Sequence, residues 1–460
     1  MKNRSSIDQA LKSLLPQLSA EDTAAIVAHL PRLKARLAHL SEAMPGIQHS
    51  IAIKTNPQIE LLRTLVSWGY GLEAASIEEV RRAKDAGCSV NQIVFDSPVK
   101  TRLEIAEVAY DTGMLVNVNT IAELERFPAD ATCVLGIRIN PQVHAGSPEM
   151  FDVSKNESKF GVPISNQYEL IQAAIDFPVG ALHIHSGSQM QNLEAQKEAL
   201  IGLRDMALTI NAQSPGKIHT LDIGGGLPTE AIEGQTKMSA YGLMVQEIFR
   251  GTSFKLVTEF GQWVHASAGF AVSTIEYVVQ PDRVFVHLGA DFFMRDAYTR
   301  ARPFPLAVIS SQGRWRSGEA RPFDIAGPLC FAGDYLAHKK NLPSDLQESD
   351  YLVIDETGAN TYALWSRHCS RSVPSYWAWD GNSIVKWAER QTIGFVTIDE
   401  DLPKGSEITL EITMGIEHIF SIKSYPKSNK SRSKKIVLAR GNKDSKTLSL
   451  LSKSLEKIFN

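Results

Sequence analysis

A lysine, a run of three glycines, a pair of histidines and a glutamate each stand at the end of a short apolar run. Lys54 lies in IAIKTNP. An amine held among other buried groups can lose part of its ordinary basicity and attack a carbonyl carbon. Gly224, Gly225 and Gly226 lie in LDIGGGLP. Consecutive glycines free backbone N–H groups to converge on a phosphate, and they also make a plain tight turn. His183 and His185, in LHIHSGSQ, share one side of an extended segment. The pair can bind a metal, although no third ligand stands at a suitable local spacing, or one ring can cover an aromatic cofactor ring. His183 reads as the more structural of the two, and Ser188 can donate to a phosphate. Glu259, in VTEFGQ, can pair with a protonated ring nitrogen or form a salt bridge at a rim.

The elements that must position these residues follow a regular grammar. HSIAIKTN, GLEAAS, QIVFDS, MLVNVNT, CVLGIRIN, VGALHIHSGS, IHTLDIGGGLP and FKLVTEFGQ are short apolar runs, mostly separated by helical periodicity. Strand–helix alternation predicts parallel strands with crossover helices, and about eight such units predict an α/β fold of the closed (β/α)8 barrel type over 46–270. The polar and glycine-rich residues then fall on the catalytic rim of that barrel. From 271 to 422 strand-like runs are divided by Gly, Pro and Asp turns, which predicts a mostly antiparallel β domain. Residues 1–45 read as helical, with one helix from about 22 to 40, packing with either part. The segment 423–460 is a basic extension: residues 424–460 hold ten Lys or Arg against two acids, and TLSLLSKSLEKIFN can form an amphipathic helix.

Composition narrows the classes. The chain has 460 residues, 43% hydrophobic and 22% charged, with a formal charge of -3. Global disorder and a small disulfide scaffold are excluded, and so balanced a charge does not suggest nucleic acid as a partner. The four cysteines, at 88, 133, 330 and 369, show no C-x-x-C spacing, so no metal site is expected and a reducing compartment fits. No apolar run is long enough to span a bilayer and the N-terminus lacks the core of a secretory signal, so no membrane is expected and the cytoplasm is the default location.

Taken together the motifs resemble the fold-type III pyridoxal-phosphate decarboxylases, the group of diaminopimelate, ornithine and arginine decarboxylases, whose barrel is similar to that of alanine racemase. IAIKTNP resembles the segment of the cofactor-bearing lysine, here Lys54. LEAAS resembles the next strand's motif, with Glu73 in place of the usual aspartate. GIRIN places Arg138 near the cofactor, and SKFGV follows as in the family. HIHSGSQ supplies a ring-stacking His185 and a phosphate-contacting Ser188, DIGGGLP the phosphate loop, and EFG the ring-nitrogen partner Glu259. GPLCFAGD resembles the family's cysteine motif, with Cys330. The resemblance spans about 45–400. It implies pyridoxal 5'-phosphate as cofactor, decarboxylation of an α-amino acid, and a head-to-tail homodimer in which Lys54 and Cys330 from different subunits share one site. Cys330 would then return a proton to the substrate's Cα.

The same resemblance exposes departures. Gln262 stands where the family has a phosphate-holding arginine. Asn360 stands where the family has a tyrosine, with Tyr362 two residues on. Phe331 replaces an acid that meets the distal amine of a diamino substrate. FFMRDAYT matches the substrate-carboxylate segment loosely through Arg295 and Tyr298. These departures point to a diamino acid whose distal amine is acylated or otherwise modified, in specialised metabolism such as siderophore or polyamine-like synthesis. Alternatives are diaminopimelate decarboxylation in lysine synthesis, a pyridoxal-phosphate racemase, and a non-catalytic paralog.

Overall fold

The computed structural model describes residues 4–229, 237–279, 281–294, 303–391, 408–413 and 419–424. The chain divides into a unit within Met1–Ile393 and a second within Gly394–Asn460. In the first unit a helix, Arg4–Leu14, precedes strand β1 (Ala24–His29) and the helix Leu30–Ala43. The barrel strands then follow: β2 (Gln48–Ala52), β3 (Gly71–Ala74), β4 (Ile93–Phe95), β5 (Leu115–Val118), β6 (Val134–Asn140), the two-residue β7 (Val162–Pro163), β8 (Val179–Ile184), β9 (Thr220–Asp222) and β10 (Lys255–Thr258). All neighbours among them pair in parallel. The β5–β6 pairing closes the ring of eight, with β7 hanging from β6. This is the (β/α)8 barrel the alternation predicts.

The local causes are ordinary. Thr101 and Glu104 form a reciprocal capping box at the start of Arg102–Val108, and Ser76 caps Ile77–Asp85. Helix Ile77–Asp85 buries Ile77, Val80 and Ala83, the spacing of one helical face. Strands β2 to β6 are buried along nearly their whole length, because helices cover them outside and side chains fill the ring inside. The chain leaves each strand at its C-terminal end, so the residues just beyond the strand ends form a common mouth.

The second layer is a mostly antiparallel sheet of β11 (Gly269–Val279), β12 (Arg283–Val286), β13 (Leu306–Ile309), β14 (Ala320–Ala326), β15 (Tyr335–Pro343), β16 (Tyr351–Asp355), β17 (Ser375–Trp379) and β18 (Ile384–Ala388), joined by β1. Two of its pairs are parallel, β1 with β17 and β12 with β14. The sheet therefore corrects the reading of 22–40 as one helix: Ala24–His29 is a strand, and the helix begins only at Leu30 with Pro31 in its first turn. The physical reason is that β1 is buried on both faces. Ile26 and Ala28 face the large core, while Ala25 and Val27 pack with Ile7, Leu11 and Trp377. A short run apolar on both sides shows no alternation, so its period is silent and only pairing decides.

In the second unit β19 (Ile408–Thr413) and β20 (Ile419–Ser424) form an antiparallel ladder. Residues 392–407 of the expected β domain, the terminal helix and the rest of the basic extension lie outside the described residues, as do Arg295 and Tyr298. Among the described residues no helix is long and apolar enough to cross a membrane.

Candidate active site

Strand β2 ends at Ala52 and runs into a single tight turn, Ile53–Thr55, that carries Lys54 over the mouth. Its side chain is 45% exposed, while its partner Glu73 on β3 is fully buried. The ammonium donates to both Glu73 oxygens, each at 2.8 Å. Burial opposes the charge on Lys54, but Glu73, with Glu259 and Asp96 behind it, holds its pKa above the ordinary lysine range. This reverses the expectation of a lysine made less basic by its surroundings. Burial pushes the Glu73 carboxyl up, and the Lys54 ammonium pulls it back. The pair is one tightly shared proton system, and Glu73 is the group placed to take a proton from the amine.

Deeper in the mouth, Arg138 on β6 donates to Asp96 Oδ2 at 2.7 Å. His183 on β8 lies between two carboxyls, its Nδ1 3.6 Å from Asp96 and its Nε2 3.6 Å from Glu259. Burial works against a charged Asp96, yet the Arg138 guanidinium, aided by His183 and Lys54, holds its pKa well below the carboxylate range. Glu259 moves the other way. Burial, then the neighbouring Asp222, Glu73 and Asp96, push its carboxyl well above the ordinary range. Neither Glu259 oxygen has a hydrogen-bond partner among the described residues. Asp96, His183 and Glu259 bring donor atoms within 4.8 Å of one another. Arg138 already neutralises Asp96, however, so this group is built to meet an N–H donor at Glu259 more readily than a cation.

The glycine loop lies against this cluster. Glu259 donates its N–H to the Gly224 carbonyl at 2.7 Å. Gly224 and Gly226 adopt φ of +66° and +102°, a region that disfavours side chains. A Cβ at Gly225 would come within 2.5 Å of the Glu259 carbonyl. The cradle is thus open only because it has no side chains of its own. Gly225 N–H donates to His185 Nδ1 at 3.3 Å. Burial, then Arg138 and Lys54, lower the His185 pKa well below its usual value and leave a neutral ring. Ser188 is half-buried in the loop three residues further on. Gln262 opens the helix Gln262–His265, and its Oε1 accepts from Asn360 Nδ2 at 3.3 Å. Asn360 has φ of +58°, a left-handed conformation that asparagine tolerates. Its N–H donates to the Thr55 carbonyl at 2.9 Å, which ties the segment after β16 to the turn that carries Lys54. Tyr362 packs edge-on to Tyr376, ring centres 5.1 Å apart.

The structure therefore gathers Lys54, Glu73, Arg138, His185, Gly224–Gly226, Glu259, Gln262 and Asn360 at one mouth. Cys330 and Phe331 lie on the turn after β14; Cys330 is exposed and makes no hydrogen bond among the described residues. A Cβ on Gly333 would lie 2.6 Å from Phe331 Cζ, so the ring folds back over its own loop. Two participants escaped the sequence reading. Asp96 lies inside the run QIVFDS. Asp222 accepts from Gly224 N–H at 3.0 Å and Asn117 Nδ2 at 3.2 Å, and so braces the glycine loop. Their signal was position alone: an acid at or just past a barrel strand's end.

The residues fit pyridoxal phosphate on their own chemistry. Both Glu259 oxygens are buried and have no hydrogen-bond partner among the described residues, which suits a ring N–H. The glycine cradle suits a phosphate, the neutral His185 suits a ring face, and Lys54 suits the carbonyl.

Comparison with known proteins agrees. Residues 30–266 match the pyridoxal-binding domain of the pyridoxal-dependent decarboxylases. The chain is 28% identical over 387 residues to a diaminopimelate decarboxylase of Pseudomonas fluorescens, covering 80% of this chain and 91% of that protein. It is 27% identical over 360 residues to one of Helicobacter pylori, covering 74% and 86%. The fold is similar to the crystal structure of the Helicobacter pylori enzyme complexed with L-lysine, with a TM-score of 0.74 at 24% identity over 80% of this chain and 94% of that one. With the barrel, the mouth and these likenesses in hand, the chain belongs to the pyridoxal-dependent decarboxylases of the diaminopimelate, ornithine and arginine group, and acts with pyridoxal 5'-phosphate on an amino acid.

Proposed function

We propose that this chain removes the α-carboxyl group of a diamino acid. The observation that carries the reading is the Lys54–Glu73 pair at 2.8 Å, set in the same mouth as the unpartnered Glu259. Pyridoxal phosphate, when bound, supplies a ring that takes up the electron pair left at Cα when carbon dioxide departs. The chain's own residues do the rest. Lys54 holds the cofactor's carbonyl end, with Glu73 receiving a proton from its amine. Gly224–Gly226 and Ser188 hold the phosphate, and Gln262 and Asn360 border it. Glu259 would hold the proton at the ring nitrogen, and His185 would cover one ring face.

The likeness to diaminopimelate decarboxylases supports meso-diaminopimelate, with lysine as product, as the first substrate to test. One observation favours a second reading. Phe331 stands where the family has an acid for the distal amine, and an aromatic ring offers no charge-assisted hydrogen bond. A diamino acid whose distal amine is acylated suits that position better. The exposed Cys330 supports a head-to-tail dimer in which a second copy of the chain brings its thiol to the substrate's Cα as a proton donor. Unpaired cysteines support a cytoplasmic location.

The experiment is carbon dioxide release with the product's mass measured, over meso-diaminopimelate, free diamino acids and their N-acyl forms. Turnover of meso-diaminopimelate to lysine decides for the first reading. Turnover of acylated forms alone decides for the second. Retained carbon dioxide with an inverted Cα means racemisation. Failure of the purified chain to take up pyridoxal phosphate, read from its visible absorption, defeats both.

A further inference from the structure

Asp96 stands directly beyond β4 and is 5% exposed. It has two different neighbours. Its Oδ2 accepts from Arg138 NH1 at 2.7 Å. Its Oδ1 lies 3.6 Å from Nδ1 of the fully buried His183, whose Nε2 lies 3.6 Å from Glu259 Oε2. Four side chains from four strands thus stand in a row: Arg138, Asp96, His183, Glu259. Lys54, Glu73, Asp222 and His185 face the row from the adjoining strands. Both His183 nitrogens and both Glu259 oxygens lack a hydrogen bond among the described residues. Leaving buried polar atoms unpaired is unfavourable, and closing either 3.6 Å gap by a few tenths of an ångström makes a bond.

A neutral imidazole carries one N–H, and what faces each nitrogen decides which one bears it. Arg138 keeps Asp96 an acceptor. The nitrogen opposite that acceptor, Nδ1, takes the N–H. Nε2 is then left to share a proton with the Glu259 carboxyl. We infer that Asp96 is a positioning residue which, through His183, sets where the proton lies at Glu259. The inference rests on the reading of Glu259 as the partner of the cofactor's ring nitrogen. It adds to that reading a control on the charge Glu259 presents.

The test reads the tautomer directly. Apoprotein labelled with 15N-histidine reports ring-nitrogen shifts, and the His183 signal is assigned from its loss in His183→Gln. In the wild-type protein Nδ1 carries a proton. In Asp96→Asn, Arg138 claims the amide oxygen and the NH2 group faces Nδ1, so the N–H moves to Nε2. In the loaded enzyme the same substitution lowers kcat about 10- to 100-fold, the range seen when the partner behind a metal-bound histidine is lost. Binding of pyridoxal phosphate to that variant, followed by fluorescence, changes by less than about twofold, and Asp96→Glu recovers part of the rate. A bare Nδ1 in the wild-type protein overturns the inference, and so does an unmoved tautomer or an unchanged kcat in Asp96→Asn. The wild-type measurement needs no variant to fold. Because the tautomer is read without substrate or cofactor, its result is independent of which amino acid turns over.

Discussion

On the side of the mouth that carries Lys54 and Glu259, Lys54 meets Glu73 at 2.8 Å and Arg138 meets Asp96 at 2.7 Å. On the side proposed for the phosphate, Gln262 and Asn360 meet as two uncharged amides at 3.3 Å, and the neighbouring His265 is buried and neutral. The first side is a dense set of ionisable groups in which Lys54, Glu73, Arg138 and Asp96 are paired and Glu259 has no hydrogen-bond partner among the described residues. The second has exchanged charge for amides and bare backbone. The contrast teaches that the two departures meet in space: the Gln262 and Asn360 amides satisfy each other. Lys54, Arg138, His185 and Glu259 resemble the family, while Glu73, Gln262, Asn360 and Phe331 depart from it.

That contrast can be broken or sharpened by substitution. The largest effect is expected on the charged side: Lys54→Ala lowers carbon dioxide release by about a thousandfold or more, measured at saturating substrate. A loss under tenfold would mean that the charged side does not hold the reacting atoms. Next is the distal pocket. Phe331→Glu restores a charge-assisted partner for a free distal amine, a gain of about 1.5–3 kcal/mol, or roughly 10- to 100-fold in kcat/KM for free diamino acids. If those substrates react no better, Phe331 does not face the distal amine.

Acid should strain the phosphate side. Burial pushes the His265 pKa down to about 4 from the ordinary 6.5. Between those values the unfolded chain binds a proton there that the folded chain does not, so the folded state is favoured above pH 6.5 and loses that advantage as pH falls toward 4. At pH 5 the loss is about 2 kcal/mol. Denaturant melts at pH 7 and pH 5 should show that share of the acid sensitivity disappearing in His265→Leu; an equal drop in both proteins would place the sensitivity elsewhere. The smallest effect is the return of charge to the phosphate. Gln262→Arg tightens pyridoxal phosphate about tenfold by fluorescence titration, and less than Gln262→Arg with Asn360→Tyr, because Asn360 otherwise loses its amide partner. Weaker binding in the double variant would mean that the two positions act separately.

Much of this arrangement was readable from residue order. The barrel strands are short apolar runs with amphipathic helices between them, and Lys54, His185, the glycine loop and Glu259 each stand just past such a run, where a barrel puts its chemistry. Strand β1 was not readable, because both its faces are apolar and Ala-containing runs suit helices as well. Strands β17 and β18 lie in a tryptophan-rich stretch, and the pairing of β17 with β1 joins residues far apart in sequence, which local pattern does not reveal. Asp96 was overlooked because a lone acid after a strand carries no motif, and only the ring brings Arg138 and His183 to it.

Sequence by itself determined the alternation, the positions of the rim and the residue types placed there, because strand and helix periods are local properties of neighbouring side chains. Tertiary structure decided the charge states. Whether Lys54 is more or less basic, whether Glu259 holds a proton and whether Asp96 matters all depend on which charges burial crowds together across strands, and electrostatic energies in a buried mouth are set by distance in space, not along the chain.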